Sequence, residues 1–314
     1  MFRNVLMSTS DAVLLFDAGY GQAQGGRKFQ EDRCAVVLPD QFPANTDDKL
    51  AFFAVYDGHG TDLVSNHAQQ DLHFLVAKRP EFQTGDYEGA IKGALADEDG
   101  ILLSYFKNKN PEPAVSGSTV AICLVNLTKG DLVVGNLGDS HIILAERDPK
   151  TEQPYRIRRL TKSHKPDVPS EQARIEDAGG NVSSRSGTAR VGTLNMSRAI
   201  GDLRYKNPVN HEDSSQGLRH ATSVSPESRG DFLSNEPYLT RLVLLPDHRY
   251  VIVAVSDGVS DRVDDVSLVQ HVMKLSMRGL RAGDIAQEIA TTTCNSANSD
   301  NGSCIVALFD GQES

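Results

Sequence analysis

Three apolar segments of the chain each lead almost directly to an aspartate. The pairs are Leu50–Tyr56 with Asp57, residues 132–137 with Asp139, and Arg249–Ser256 with Asp257. Carboxylates gathered at strand ends repel one another and lose hydration, and a bound divalent cation removes both costs. Ligand sets made only of oxygen suit hard ions such as Mg²⁺ or Mn²⁺. The pattern therefore predicts a metal site, although a single Asp-Gly pair after a strand is more often a simple turn.

Other polar residues add to this set of aspartates. They are the pair Glu31-Asp32 before the first long apolar segment, Asp202 after Ile200-Gly201, and Asp300-Asn301 before the last segment. Two metal ions about 3.5–4 Å apart that share an aspartate can activate water for hydrolysis of a phosphoester. His59 follows Asp57 by two residues and is available for proton transfer. Arg27 offers a bidentate cation for a phosphate group. Without the neighbouring motifs, a histidine such as His59 is more often structural, and an arginine such as Arg27 is more often a solvated surface residue.

The elements that must position these residues are short strands and longer helices. Apolar segments of strand length, bounded by turn residues, recur along the chain. They are Cys34–Leu38, Leu50–Tyr56, Thr119–Asn126, Leu132–Gly135, His141–Ala145, Leu242–Leu245, Arg249–Ser256 and Ser303–Phe309. Because the helical patterns do not alternate strictly with these strands, a parallel sheet is disfavoured. The order favours two packed sheets with helices outside.

Helix starts are indicated by polar residues before apolar stripes. Asp86 is predicted to cap a helix that carries Ile91 and Leu95 on one face. Ser170 is predicted to cap a short helix through Ala178. Asp284 precedes a further helix, in which Gln287 is placed as a capping-box partner.

The composition is that of an ordinary globular protein. Of 314 residues, 39% are apolar and 24% are charged, which excludes a collagen-like, coiled-coil or disordered chain. The net charge is 32 − 42 = −10, so the chain lacks the basic footprint that binding to nucleic acid requires. No apolar run approaches the ~18 residues needed to span a bilayer. The four cysteines form no Cys-x-x-Cys pair, which favours a reduced, intracellular location in the cytoplasm or nucleus, with mitochondria as the alternative.

Short motifs cover nearly the whole chain, from about residue 21 to residue 309. They are residues 27–32, 53–60, 116–119, 138–140, 160–161 with 164–166, 197–202, 256–258 and 300–301. In type and order they resemble the motifs of the metal-dependent Ser/Thr phosphatases of the protein phosphatase 2C type. Each motif is weak evidence alone, and the ordered set is specific.

The resemblance implies an α+β fold, an α-β-β-α sandwich of two antiparallel sheets flanked by helices, with a binuclear metal site at one end. It implies an N-terminal extension over residues 1–20 and a single catalytic domain over residues 21–311. Residues 163–191 correspond to the family's variable flap. Residues 207–235 are rich in Ser, Asn, Asp, Gly and Pro and are interpreted as a surface insertion, since structureless loops rarely exceed ~12–15 residues.

The resemblance assigns most of the acidic residues to metal ions. Asp57 would bridge two ions, and Gly58 would bind through its backbone carbonyl. Glu31 would act at one ion, largely through water. Asp257 and Asp300 would hold the other ion.

Further positions would hold a third ion or support the ligands. Asp139 and Asp202 match positions that bind a third, weaker ion. Asp32 would support the cluster through hydrogen bonds or water, and Asn301 would orient Asp300. The expected cofactors are two Mn²⁺ or Mg²⁺ ions, with a third held more weakly.

The implied reaction is hydrolysis of phosphoserine or phosphothreonine in a phosphoprotein by metal-activated water, without a phosphoenzyme. Arg27 would clamp the phosphate, and His59 would protonate the leaving alkoxide. The chain departs from the family at four positions near the site, which are Thr61, His141, Ser163 and Ser260. These departures affect the surrounding loops and leave every metal ligand in place.

Two other functions are alternatives to the phosphatase. A catalytically inactive relative could act as a scaffold or regulatory binding protein, but such a protein has no need to retain Arg27, Asp57, His59, Asp257 and Asp300 together. A nuclease with two metal ions is disfavoured by the net charge of −10. The expected partner is a phosphoprotein substrate, with no nucleic acid and no transmembrane segment, and the chain is expected to be a monomer.

Overall fold

The computed structural model describes residues 11–185, 187–212 and 230–310. Its strands, in chain order, are β1 (Leu14–Ala23), β2 (Arg33–Val37), β3 (Leu50–Tyr56), β4 (Gly58–His59), β5 (Gly117–Ser118), β6 (Val120–Asn126), β7 (Asp131–Leu137), β8 (His141–Arg147), β9 (Arg156–Arg159), β10 (Val182–Arg185), β11 (Thr188–Val191), β12 (Ile200–Gly201), β13 (Tyr238–Val243), β14 (Arg249–Val255) and β15 (Gly302–Asp310).

Two five-stranded antiparallel sheets form the centre of the structure. One has the order β1-β15-β14-β8-β9, and the other has the order β13-β7-β6-β3-β2. A small sheet, β12-β5-β4, and the hairpin β10-β11 lie outside them. The predicted strands are confirmed, with boundaries that differ by a few residues.

The described residues form eight α-helices. They are α1 (Leu63–Lys78), α2 (Pro80–Gln83), α3 (Tyr87–Lys107), α4 (Pro169–Asp177), α5 (Val209–Glu212), α6 (Asp257–Ser260), α7 (Asp265–Ser276) and α8 (Ala282–Thr293). Within the described part of the chain, no helix combines the length and apolar character needed to cross a membrane.

Strand β3 shows how the layers are built. Alternate side chains point to opposite faces of a strand. Phe52 therefore packs in the core shared with α1 and α3, whereas Phe53 packs in the core between the two sheets. Both faces are covered, which is why Leu50–Tyr56 is apolar throughout rather than alternating. A third core joins the other sheet to α7 and α8, so the predicted α-β-β-α sandwich is confirmed.

The N-terminal boundary predicted from the sequence needs a correction. Residues 14–20, assigned above to an extension, belong to β1, which pairs with β15 at the edge of a sheet. A Cβ atom on Gly21 would lie 2.2 Å from the Cα atom of Gln287 in α8. The glycines that interrupt the strand pattern thus permit close packing of this helix on β1.

The predicted helix caps are only partly confirmed. The Asp86 carboxylate accepts a hydrogen bond from the backbone of Gly89 and caps α3. The caps at Ser170 and Asp284 are wrong, because α4 and α8 begin one and two residues earlier, at Pro169 and Ala282. The Gln287 side chain donates to the backbone carbonyl of Gln22 in β1 instead of forming a capping box.

The two variable segments are described to different extents. The predicted flap, residues 163–191, contains α4 and the hairpin β10-β11. Of the predicted insertion at 207–235, residues 207–212 include α5, and residues 213–229 lie outside the described residues.

Candidate active site

The strand directions bring the acidic residues to one edge. Strands β3 and β7 are both antiparallel to β6, so their carboxyl ends meet at the same edge of the sheet. Asp57 and Asp139 follow these ends. Strand β2 is antiparallel to β3 and begins just after Glu31 and Asp32, which therefore lie at that edge too. In the other sheet, the same relation between β14 and β15 brings Asp257 beside Asp300.

At the centre of this cluster, carboxyl groups contact one another. The Asp57 carboxyl lies within hydrogen-bond reach of those of Asp257 and Asp32. Burial raises the pKa of Asp57 well above its ordinary value, and the charges of Asp32, Asp257 and Asp139 add to this effect. Burial likewise raises the pKa of Asp257 to about 7, with the charge of Asp139 contributing. Without a nearby cation, the crowding therefore favours the protonated form of the Asp57 and Asp257 carboxyl groups.

The donor set fits a hard divalent cation. A cation would remove the repulsion that raises these pKa values, and oxygen is the ligand that Mg²⁺ and Mn²⁺ prefer. The Oδ1 atom of Asp139 is buried and has no hydrogen-bond partner among the described residues. Over residues 11–185, 187–212 and 230–310, no group of three or more His, Cys, Asp or Glu side chains is already arranged as a metal-ligand set. The acidic residues converge on one place, and there their carboxyl groups contact each other instead of surrounding a common point.

Hydrogen bonds hold Asp32 behind the cluster. Its carboxylate accepts from the Ser256 hydroxyl at 2.8 Å, and its backbone carbonyl accepts from the Gln22 side chain at 3.0 Å. Burial raises the pKa of Asp32 to about 6, while the Ser256 hydrogen bond opposes the shift. The sequence analysis missed Ser256 and Gln22 as supports, because neither residue type signals such a role.

The backbone around Glu31 is fixed from two sides. A Cβ atom on Gly58 would lie 2.3 Å from the Glu31 carbonyl oxygen, so only glycine permits this packing. The Glu31 amide donates to the Asn301 side chain at 2.8 Å. The backbone N–H of Asn301 donates in turn to an Asp300 carboxylate oxygen at 2.8 Å. Asn301 therefore links Glu31 to Asp300. Burial raises the pKa of Glu31.

Arg27, the predicted phosphate ligand, lies beside a predicted metal ligand. Its Nη2 atom donates to the Asp300 carboxylate at 2.5 Å, and the two side chains are 56% and 38% exposed. Nη2 is the one guanidinium nitrogen of Arg27 with a hydrogen-bond partner in the described part of the chain. Donors of Arg27 therefore remain for a phosphate group next to the acidic cluster.

His59 is paired with Asp202. The His59 Nε2 atom lies 2.6 Å from the Asp202 carboxylate. Burial lowers the pKa of His59, but the charges of Asp202, Asp139 and Glu31 outweigh it and the pKa is raised overall. The resemblance assigns Asp202 to a third ion, and in the structure its carboxylate contacts the predicted general acid.

Lys165 is a further residue of the site that the sequence analysis did not single out. Its ammonium group forms an ion pair with Asp139. Burial lowers the pKa of Lys165, but Asp139 and Asp257 raise it by more. Lys165 lies within a matched motif, yet nothing in the sequence pairs it with an aspartate 26 residues earlier.

Two of the departures from the family pattern contact each other. The Nε2 atom of His141 lies 3.2 Å from the Ser163 hydroxyl, and the Nδ1 atom lies 3.0 Å from the Thr161 hydroxyl. Burial lowers the pKa of His141 to about 4, so the ring is neutral near pH 7. His141 and Ser163 thus form a neutral pair that interacts beside the site.

Comparison with known proteins agrees with the fold. A family model described as "Protein phosphatase 2C" matches residues 16–302. The chain is 33% identical over 297 residues to "Protein phosphatase 2C homolog 2" of Aspergillus fumigatus, covering 90% of this chain and 61% of that protein. It is 30% identical over 273 residues to "Protein phosphatase 2C homolog 3" of Schizosaccharomyces pombe, covering 87% and 57%.

A solved structure shares the fold. The serine-threonine phosphatase 2C of Toxoplasma gondii matches with a TM-score of 0.73 and 23% identity, covering 95% of this chain and 98% of that one. The chain spans about three fifths of the length of the two fungal relatives, 61% and 57%. The family model covers most of the described residues, and the chain belongs to the protein phosphatase 2C family.

Proposed function

We propose that the chain is a phosphoserine and phosphothreonine protein phosphatase that uses two Mn²⁺ or Mg²⁺ ions, with a third held more weakly. The observation that carries the proposal is the convergence of buried carboxyl groups around Asp57. Three aspartates from separate parts of the chain meet there, because Asp57 contacts both Asp32 and Asp257. Such crowding is costly unless cations compensate for it.

The roles proposed for the residues are those that the family resemblance implies. Asp57, Asp257, Asp300 and Glu31 would hold the two ions, with Gly58 contributing its backbone carbonyl. Asp139 and Asp202 are the candidates for the third. When bound, the ions would activate water and neutralise charge on the phosphate oxygens.

Arg27 and His59 would act on the substrate. The free donors of Arg27 would orient the phosphate beside Asp300. His59 would donate a proton to the leaving oxygen of serine or threonine, and the raised pKa keeps it protonated to higher pH than an ordinary histidine. Phosphoserine and phosphothreonine need this proton, because an alkoxide is a poor leaving group.

The test is hydrolysis of p-nitrophenyl phosphate and of a phosphothreonine peptide with added Mn²⁺. We expect turnover that EDTA abolishes and that Asp57→Asn removes. Asp40→Asn, which changes an exposed aspartate outside the cluster, is the matched control and should keep the activity. Folded protein with no turnover would support the inactive scaffold instead, and cleavage of DNA would support the nuclease.

A further inference from the structure

A cavity of about 340 Å³ adjoins the candidate active site. Its lining residues are Phe29, Gln30, Glu31, Gly60, Thr61 and Asp62. One half of this lining continues the segment that carries Arg27, and the other half directly follows His59. Phe29 is two residues after Arg27 and Gly60 is one residue after His59, so the lining is close in sequence to both residues proposed to act on the substrate. A substrate residue close to the phosphorylated one is therefore the candidate occupant of this cavity.

The wall that follows His59 is held in place. Gly60 has a φ of +82°, and a Cβ atom there would lie 2.2 Å from the carbonyl oxygen of Val115. The Thr61 hydroxyl donates to the Ser116 hydroxyl at 3.1 Å. Thr61, one of the departures from the family pattern, thus attaches this turn to the neighbouring segment. A wall that is already fixed reduces the ordering cost of binding a ligand.

The opposite wall presents an aromatic ring. The Asn301 side chain donates to the Phe29 carbonyl at 3.0 Å and fixes the backbone, while Phe29 as a whole is 64% exposed. The Lys28 ammonium lies 5.2 Å from the centre of the Phe29 ring. This distance lies within the range of a cation–π contact, so the ring already interacts with one positive charge while most of its surface stays exposed.

The charges of the lining are negative. Besides Glu31, which is proposed to act at a metal ion, Asp62 supplies a carboxylate, and the six lining residues include no lysine or arginine. Asp62 pairs with Arg33 at 2.6 Å, yet its side chain stays 48% exposed, whereas that of Arg33 is 18% exposed. The Asp62 carboxylate can therefore meet a second cation from the solvent side.

We propose that this cavity, the Phe29 pocket, binds an arginine or lysine side chain near the phosphorylated residue of the substrate. The inference rests on the proposed function and specifies its substrate class. Phe29 would contact the stem and charge of the side chain, and Asp62 would pair with its charged group. Exposed ion pairs and cation–π contacts are individually weak, so the preference for the basic side chain should be about fivefold.

The test compares phosphothreonine peptides of one sequence. A single arginine is placed in turn at each of the three positions on either side of the phosphothreonine, and each peptide is matched by one with norleucine at that position. We expect kcat/KM to favour arginine about fivefold in at least one position. Phe29→Leu and Asp62→Asn should each reduce that ratio. Phe74→Leu and Asp71→Asn, which change exposed residues on α1, are the matched controls and should keep it.

Each outcome decides one proposal. Hydrolysis with equal rates for all matched pairs would overturn the Phe29 pocket and leave the phosphatase proposal intact, and a preference for norleucine would also overturn it. If no peptide and no aryl phosphate is hydrolysed, the phosphatase proposal fails. Fluorescence anisotropy of the labelled peptides then decides the pocket, because equal affinities for arginine and norleucine would contradict it. Thermal unfolding of each variant confirms that a lost preference does not reflect lost structure.

Discussion

The contact between His59 and Asp202 exists because residue 117 has no side chain. The two side chains meet at 2.6 Å. A Cβ atom on Gly117 would lie 2.0 Å from the Asp202 carboxylate and 2.8 Å from the His59 Nε2 atom. Asp202 also has a φ of +49°, a conformation that residues other than glycine adopt at a cost. The backbone conformation thus directs the Asp202 carboxylate toward the His59 ring, and the missing side chain at Gly117 leaves space for that contact.

Gly117→Ala should therefore impair phosphopeptide hydrolysis. The added methyl group must displace Asp202 or His59, and a misplaced catalytic group can cost about 100-fold in rate. Gly100→Ala is the matched control, since a Cβ there meets nothing within 4 Å. It lies in α3 and should raise stability by about 0.5–1 kcal/mol without loss of activity. Full activity of Gly117→Ala would show that the His59–Asp202 contact is dispensable.

His59→Gln should separate two kinds of substrate. General acid catalysis contributes about 100-fold or more when the leaving group is poor, as it is for phosphothreonine. An aryl phosphate leaves without this assistance and should be slowed much less. The measurement is kcat for a phosphothreonine peptide and for p-nitrophenyl phosphate with the same Mn²⁺ concentration. Equal slowing of both substrates would argue against the acid role.

Arg27→Ala should reduce activity with little effect on stability. Loss of charged hydrogen bonds to phosphate should lower kcat/KM by about 10- to 100-fold. Its exposed ion pair with Asp300 should contribute less than about 1 kcal/mol to the free energy of unfolding. Arg249→Ala breaks an exposed pair of similar type, with Asp310 at 2.8 Å, and is the control that should keep activity. If both variants keep full activity, Arg27 does not bind the phosphate.

The buried ion pair between Lys206 and Asp99 should contribute strongly to stability. These side chains are 5% and 10% exposed and meet at 2.6 Å. Asp99 also accepts from the amide of Gly201, the residue before Asp202. Lys206→Met leaves a buried carboxylate without its cation and should lower the free energy of unfolding by about 3–5 kcal/mol.

Urea denaturation can measure this effect against an exposed pair. Lys92→Met breaks the contact with Glu236, in which both side chains are more than half exposed, and should cost less than about 1 kcal/mol. Adding Asp99→Asn to Lys206→Met should recover part of the loss, because the unpaired charge is removed. Equal losses of unfolding free energy in Lys206→Met and Lys92→Met would mean that the buried pair contributes no more to stability than the exposed pair.

Much of the fold could be predicted because burial leaves a strong pattern in the sequence. Leu50–Tyr56 is a strand as predicted, since both of its faces are covered by apolar layers. Leu14–Ala23 was missed because most of its residues are only partly buried or exposed and its glycines resemble turn signals. Those glycines are required because α8 packs closely against β1, and a local sequence pattern does not show this tertiary contact.

The site was predictable to the same degree. Asp57 and Asp139 could be placed at one edge because each ends an apolar strand. The partners of these acids could not be predicted, since Lys165 reaches Asp139 and Asp202 reaches His59 only through the folding of distant segments. The metal ligands, the monomeric state and the intracellular location stay predictions.

The most direct test of the account is the number of Mn²⁺ ions that the purified, folded chain binds, measured by equilibrium dialysis after removal of all metal. The proposed metal centre at Asp57 and Asp257 predicts uptake of at least two ions per chain at saturating Mn²⁺ and loss of that uptake in Asp57→Asn. If folded wild-type protein takes up no Mn²⁺ even at millimolar concentration, the acidic cluster is not a metal centre and the proposed hydrolysis has no basis.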